Sequence, residues 1–195
     1  MTSIVTLPRI TILFISLLAA FLLAFPVLAQ DSTISNRKEN IKERMATREA
    51  ALKTKLATFR DQKKATAAAR INTNLNKINE NQTNMMLKHL EKMSQILSRL
   101  EARVDAGKPD IKNPATARAA IADAKAKLAS AFTAVKAQAD QDYAVSVTSE
   151  ATVKTDAQTV RNSLHTDLKG VREAVSAAKQ SVAKAIRVAK SGSAG

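Results

Sequence analysis

Large apolar residues recur every three or four positions along most of the chain after residue 35, which is the spacing of one face of an α-helix. The clearest series starts at Met86 and reaches Val104 in steps of four, three, four, three and four. This heptad pattern is typical of helices that pack side by side. A second series with steps of three or four runs from Val153 to Ala189. The pattern predicts an all-α protein, an elongated antiparallel helical bundle or coiled coil.

Glycine and proline, which interrupt helices, set the predicted boundaries. Neither occurs between Val27 and Ala106, so the sequence predicts one very long first helix over residues 35–106. Its continuity through 61–70 is left open, because no large apolar residue occurs between Phe59 and Ile71. Within that helix, residues 65–105 are expected in the bundle. Residues 35–60 are expected to extend from it as an arm or to pack as a fourth element.

The rest of the chain divides at turn signals and at one change of period. Residues 143–148 alternate large apolar and small polar side chains, which is the period of an extended strand. The remaining predicted segments are a short linker at 30–34, a Gly/Pro turn at 107–114, a second helix at 115–140, an extended connection at 141–148, a third helix at 149–190 and a disordered tail at 191–195.

The N-terminus has the pattern of an export signal. Arg9 precedes sixteen uncharged residues at 10–25, and Pro26 and the small residue Ala29 follow. This order predicts a secretory signal peptide at 1–29, cleaved after Ala29. The alternative is an uncleaved membrane anchor over residues 10–29, which is just long enough to span a bilayer. In both cases the rest of the chain is expected outside the cytoplasm, secreted, periplasmic or at the cell envelope.

Charge adds a prediction about partners. The chain has a net charge of +14, and removing Arg9 with the signal leaves +13. No acidic residue follows Glu173. The candidate polyanion-binding residues are Lys179, Lys184, Arg187 and Lys190 near the C-terminus and Arg37, Lys38, Lys42 and Arg44 near the start of the first helix. This excess of positive charge favours binding to anionic surfaces, although distributed charge also keeps helices soluble.

Motifs for catalysis are absent from the sequence. There is no cysteine, and His89 and His165 have no partner at metal-ligand spacing. Four glycines in all leave no phosphate-binding loop. We therefore expect a non-enzymatic protein without a metal or a cofactor.

In its plan the chain resembles small secreted helical, coiled-coil-like proteins of bacteria whose function is unknown. The shared features are the signal peptide, a long basic helix ending in a seam such as Leu97 to Glu101, a Gly/Pro turn and Ala/Lys-rich helices. The chain is also similar to basic periplasmic chaperones with helical arms. Those begin with a β-strand, and the other helical chaperone type has paired LTxxQ motifs, neither of which is found here.

Together these features favour binding or scaffolding at an anionic envelope surface. The expected partner is an anionic envelope polymer, a lipid surface or an acidic protein. A holdase-type periplasmic chaperone and an extracellular nucleic-acid binder are the alternatives. Nucleic acid is the less expected partner because few aromatic residues are present for stacking on bases. Self-association through residues 35–60 is a further expectation, because the Ala-rich bundle buries little apolar area.

Overall fold

A computed structural model describes residues 30–191, with side chains from residue 39 onward. The predicted signal peptide or anchor at 1–29 and residues 192–195 of the predicted tail lie outside the described residues. Within the described range the chain forms four helices and no strand, which confirms the all-α prediction. The helices are α1 (Gln30–Ala57), α2 (Gln62–Asp105), α3 (Pro114–Ala139) and α4 (Val153–Ser191).

Helices α2, α3 and α4 pack against one another around one core. Arg118 of α3 pairs with Asp105 at the end of α2, whereas Gln138 at the other end of α3 contacts Asn79, so α3 is antiparallel to α2. Helix α4 runs parallel to α2. The largest fully buried side chains of these helices are Leu90, Leu97, Val104, Val135 and Thr83. The facing positions on α3 and α4 are often alanine, which allows the helices to approach closely.

The prediction of one helix over 35–106 is wrong at residues 58–61, where the chain turns. The Asp61 side chain accepts hydrogen bonds from two backbone N–H groups in the first turn of α2 and so caps it. Glu150, distant in sequence, accepts from the N–H groups of Arg60 and Asp61, at 3.2 and 3.0 Å. These carboxylates replace the bonds that a continuous helix would make.

Two predicted boundaries also differ. Residues 30–34, predicted as a linker, belong to α1, since no glycine or proline there stops the helix. Residues 149–152, predicted as the start of the third helix, form a turn in which the N–H of Thr152 donates to the carbonyl of Ser149. This turn places Glu150 against the break before α2.

Helix α1 folds back along α2 as a fourth packing element. Leu52, Leu56 and Phe59 are buried in the common core. The Arg44 guanidinium donates to the Asp140 carbonyl at 2.9 Å, and Glu150 lies at the other end of the helix beside Arg60. The chain from 140 to 150 therefore runs alongside α1 in the same direction.

The stretch at 141–149 fills the space that α3 leaves open. Helix α3 has 26 residues and α2 has 44, so eighteen residues of α2, about 27 Å, have no partner from α3. Nine extended residues span about 30 Å. The side chains of Tyr143, Val145 and Val147 are buried, while those between them are more exposed. An extended segment thus takes the place of the third helix in this half of the bundle.

Three asparagines of α2 hold this segment. Asn72, Asn76 and Asn79 are four and three residues apart and so share one face of the helix. Asn72 accepts from the N–H of Val145 at 2.9 Å, Asn76 accepts from the N–H of Tyr143 at 2.9 Å, and Asn79 donates to the carbonyls of Gln138 at 3.0 Å and Gln141 at 3.3 Å. The amide side chains supply the hydrogen bonds that a neighbouring strand would give to extended backbone.

A buried polar network continues from Asn79 to α4. Gln138 donates to Asn79 Oδ1 at 2.9 Å and to the Tyr143 hydroxyl at 2.6 Å, and that hydroxyl donates to Asp167 at 2.7 Å. Burial, together with the Asp167 carboxylate, raises the pKa of Tyr143 to about 12, against the lowering effect of the Gln138 amide. The network ties α2, α3, α4 and the connection together.

The turn between α2 and α3 is set by local sequence. Gly107 has a φ of +58°, in the left-handed region that favours glycine. The N–H of Lys108 donates to the Arg103 carbonyl and that of Gly107 to the Val104 carbonyl, which is a Schellman C-cap. Asn113 then caps α3 by accepting from the N–H of Thr116, with Pro114 at the first helical position.

Candidate functional site

The four predicted C-terminal cations are all exposed on the last part of α4, but they do not form one row. At about 100° per residue, Lys179 and Lys190 lie within about 20° of each other around the helix. Lys184 lies about 140° and Arg187 about 80° from Lys179. All four side chains face solvent.

The four predicted N-terminal cations belong to a different part of the molecule. Lys42 is exposed, whereas Arg44 uses its guanidinium to hold the Asp140 carbonyl. The side chains of Arg37 and Lys38 lie outside the described residues. In the described part of the chain α1 packs against α2, and its backbone does not approach that of α4. The two predicted groups are therefore not brought together into one site.

A different set of cations forms a row along one edge of α4. Arg161, Arg172, Lys179 and Lys190 are separated by eleven, seven and eleven residues, which keeps them within about 20° of one another. All four are exposed. Arg172 donates to the Gln82 side chain at 3.1 Å, so this edge of α4 faces α2. We call these four residues the α4 cationic row.

The positive charge of α4 is not balanced within the fold. The basic side chains of this helix are Lys154, Arg161, Lys169, Arg172, Lys179, Lys184, Arg187 and Lys190. None of them forms an ion pair with any residue that the structure describes, whereas six other cations, on α1, α2 and α3, do. Most of the positive charge of α4 therefore faces solvent, and of these cations Lys190 also helps to lower the pKa of Asp110, after the larger effect of Arg103.

Two of the three carboxylates of α4 have partners in the connection. The N–H of Thr148 and the Thr152 hydroxyl donate to Asp156 and hold its pKa below the usual range. Asp167 accepts from the Tyr143 hydroxyl. Only Glu173, which is exposed, carries negative charge without such a bond on this helix. Two of the three acidic residues of α4 are thus engaged by the connection, whereas its eight cations are exposed.

An exposed apolar row borders the cationic row. Ile78, Met85 and Ile96 of α2 are 46%, 47% and 43% exposed. They are seven and eleven residues apart, so they share one face of α2. Gln82 lies one turn from both Ile78 and Met85 and is the residue that Arg172 contacts. Together the two rows form a surface with apolar side chains beside cations, which we call the α2–α4 face.

The methionines divide between the core and this surface. Met86 is buried and Met93 is partly buried in the core, whereas Met85 is exposed. The heptad spacing explains the first two residues, because both belong to the series that starts at Met86. Of these three residues, Met85 alone is placed to form an adaptable apolar surface.

The two histidines lie on the surface of the protein. His89 and His165 are exposed. Among residues 30–191 no cluster of three or more His, Cys, Asp or Glu side chains is arranged to hold a metal ion. No helix in that range is long and apolar enough to cross a membrane.

Comparison of the chain with protein families, with curated proteins and with solved structures finds no match. The resemblance to small secreted helical proteins, stated from the sequence, therefore stays a prediction. The charges and exposed apolar side chains of the α2–α4 face are therefore the basis for its function.

Proposed function

We propose that this protein is a non-enzymatic, exported helical protein that binds an anionic lipid surface of the cell envelope through the α2–α4 face. The observation that supports the proposal is the excess positive charge of α4, which has eight cations without an ion pair to any described residue and only three carboxylates. Cations spaced along a rod suit an extended anionic surface, because each can contact a separate phosphate.

The apolar row favours a lipid surface over a soluble anionic polymer. Side chains such as Ile78, Met85 and Ile96 gain free energy when they enter the boundary between headgroups and acyl chains. Each Lys or Arg near an anionic bilayer contributes about 1 kcal/mol. A polymer would use the cations alone and would leave the apolar residues in water.

Cosedimentation with vesicles, half anionic and half zwitterionic, tests the proposal. In the test variant the four residues of the α4 cationic row are replaced by glutamine. Their loss weakens binding by up to roughly a thousandfold at low salt, given about 1 kcal/mol for each cation. Glutamine keeps the helix, since its helix propensity resembles that of Lys and Arg.

A matched control removes the same charge elsewhere. Lys63, Arg70, Lys127 and Lys136 are exposed cations without ion pairs in the described chain, and none of them belongs to the α2–α4 face. Measured at the same salt concentration, replacing these four with glutamine is expected to weaken binding by less than about tenfold, because they are not beside the residues that contact the bilayer. Equal losses in both variants would mean that net charge, and not this face, attracts the vesicles.

Salt and the apolar row separate the alternatives. Binding to vesicles is expected to weaken steeply up to roughly half-molar salt. Exchanging Ile78, Met85 and Ile96 for serine should weaken vesicle binding and leave binding to a soluble polyanion unchanged. Binding that persists at high salt would contradict the proposal and favour the holdase alternative.

Export and assembly are part of the same proposal. We propose that residues 1–29 act as a signal peptide, so the protein purified from the envelope fraction of the producing cell should have the mass of residues 30–195. A mass that includes residues 1–29 would favour the anchor. Self-association through residues 35–60 could not use Leu52 and Leu56, because both are buried within the chain. Analytical ultracentrifugation measures whether the protein self-associates.

A further inference from the structure

Both histidines of the chain lie on the α2–α4 face, and the function proposed above uses neither of them. His89 comes four residues after Met85 and seven before Ile96, so it lies within about 40° of both around α2. Its side chain is exposed and forms no ion pair with any residue that the structure describes. The exposed apolar row of α2 therefore includes one residue that can acquire a positive charge.

His165 has the corresponding position in the α4 cationic row. It comes four residues after Arg161 and seven before Arg172, within about 40° of both around α4. This histidine is exposed as well, and it forms no ion pair within the described chain. Each of the two rows thus contains one histidine.

The charged groups nearest to His89 are cations. Gln82 of α2 contacts Arg172 of α4. Because the two helices are parallel, a step of seven residues along both brings His89 to the level of Lys179. On α2 itself Lys92 follows His89 by three residues, about 60° further around the helix. A proton on His89 would join these positive charges at the surface.

Cations also flank His165. Arg161 and Lys169 lie four residues before and after it on α4. By the same register His165 lies level with Leu75, in a stretch of α2, residues 71–76, that carries no charge. The nearest charged residue of α2, Lys77, lies about 160° around that helix from Leu75.

The carboxylates of the same helices lie away from both histidines. Glu91 and Asp167 are each two residues from a histidine, which places them about 160° around their helices from His89 and His165. Asp167 accepts a hydrogen bond from the connection on that side. Glu173 comes eight residues, about 12 Å, after His165.

Helix α3 contacts the other sides of α2 and α4. Glu101 of α2, which is ion-paired with α3, lies about 120° around α2 from His89. Ser181 of α4, which donates to Asp123 of α3, lies about 160° around α4 from His165. The charges of α3 therefore do not face the histidines.

We infer that His89 and His165 contact the bilayer as part of the α2–α4 face, and that their protonation strengthens its binding to anionic lipid at mildly acidic pH. The inference rests on the proposed lipid binding. A histidine gains a positive charge as the pH falls from about 8 to about 5. Beside other cations that charge is unfavourable in water, whereas lipid phosphates neutralise it. A surface that binds the protonated form better is bound more tightly when that form is more populated.

Cosedimentation with vesicles, half phosphatidylglycerol and half phosphatidylcholine, tests the inference at about pH 7.5 and about pH 5. The phosphodiester headgroups keep their charge over this range. The unmodified protein is expected to bind about thirtyfold more tightly at the lower pH, because two cations are added to the face. A variant with both His89→Gln and His165→Gln is expected to change by less than about threefold, which comes from carboxylates that begin to be protonated near pH 5.

A matched control moves the two histidines to α3. Ala126→His and Thr133→His, added to the double glutamine variant, restore the number of histidines at exposed positions seven residues apart. The change in affinity with pH is expected to stay below about threefold, because these positions are not on the face that contacts the bilayer. If this control regains the full response, total charge and not the α2–α4 face causes it, and the inference is overturned.

The outcomes separate the inference from the proposed function. If vesicles bind at both pH values and the affinity of the unmodified protein is the same, or if the double glutamine variant keeps the full response, the inference is overturned and lipid binding stands. If vesicles bind at neither pH, both proposals are overturned. Helical circular dichroism at both pH values confirms that each variant is folded.

Discussion

Replacing Asn79 by alanine tests whether side-chain amides, and not apolar packing alone, hold the connection in place. Asn79 is 2% exposed and makes three hydrogen bonds, two as donor to the carbonyls of Gln138 and Gln141 and one as acceptor from the Gln138 side chain. Each bond contributes about 1 kcal/mol net. The higher helix propensity of alanine offsets this loss by up to about 0.7 kcal/mol in the free energy of unfolding. The free energy of unfolding should therefore fall by about 2 kcal/mol.

Asn84→Ala is the matched control, because Asn84 is an exposed asparagine of the same helix and makes no hydrogen bond in the described structure. Only the gain in propensity applies there, about 0.5 kcal/mol of stabilisation. Urea unfolding followed by helical circular dichroism measures both variants. If their free energies of unfolding differ by less than about 1 kcal/mol, the bonds of Asn79 do not stabilise the fold and the reasoning is wrong.

Three further predictions concern single positions. Gly170→Ala should raise the free energy of unfolding by about 1 kcal/mol, because a Cβ there meets no atom within 4 Å and glycine disfavours a helix interior; an unchanged urea midpoint would contradict this. Asp61→Ala should cost about 1 kcal/mol through loss of the α2 cap, measured by the same unfolding. The control is Glu91→Ala, at an exposed carboxylate of the same helix that has no hydrogen bond or ion pair among the described residues. The pKa of Tyr143 is raised from 10.0 to about 12. The stability that this tyrosine contributes is present below about pH 10 and is lost as the pH rises towards 12, because the unfolded chain releases the phenol proton first. The urea midpoint of the unmodified protein, compared with that of Tyr143→Phe, should show this loss, and parallel pH curves would contradict it.

The helices were predictable because periodicity is a local signal. The series from Met86 to Val104 lies on the buried side of α2, and Gly107 and Pro114 mark the turn that the structure contains. The break at 58–61 was not predicted, since Asp61 stands in a Lys- and Ala-rich stretch that favours a helix. Its second support, Glu150, comes from 89 residues further along the chain.

Two features of the surface and core could have been found from residue spacing alone. The asparagines at 72, 76 and 79 are spaced so that they share one face of α2, where they bind extended backbone. The basic residues were grouped by their proximity in the sequence, whereas the α4 cationic row is defined by separations of eleven, seven and eleven residues.

The position of α1 has a consequence for the order of folding. Its contacts with the rest of the chain span long separations, 96 residues from Arg44 to Asp140 and 94 from Arg48 to Asp142. Forming such contacts requires closing long loops, which slows folding. In a chain that emerges with its N-terminus first, α1 can pack against α2 early, but it lacks its contacts with the connection until residue 150 has followed. Throughout that interval Leu52, Leu56 and Phe59 lack the part of the core that the segment at 141–149 supplies.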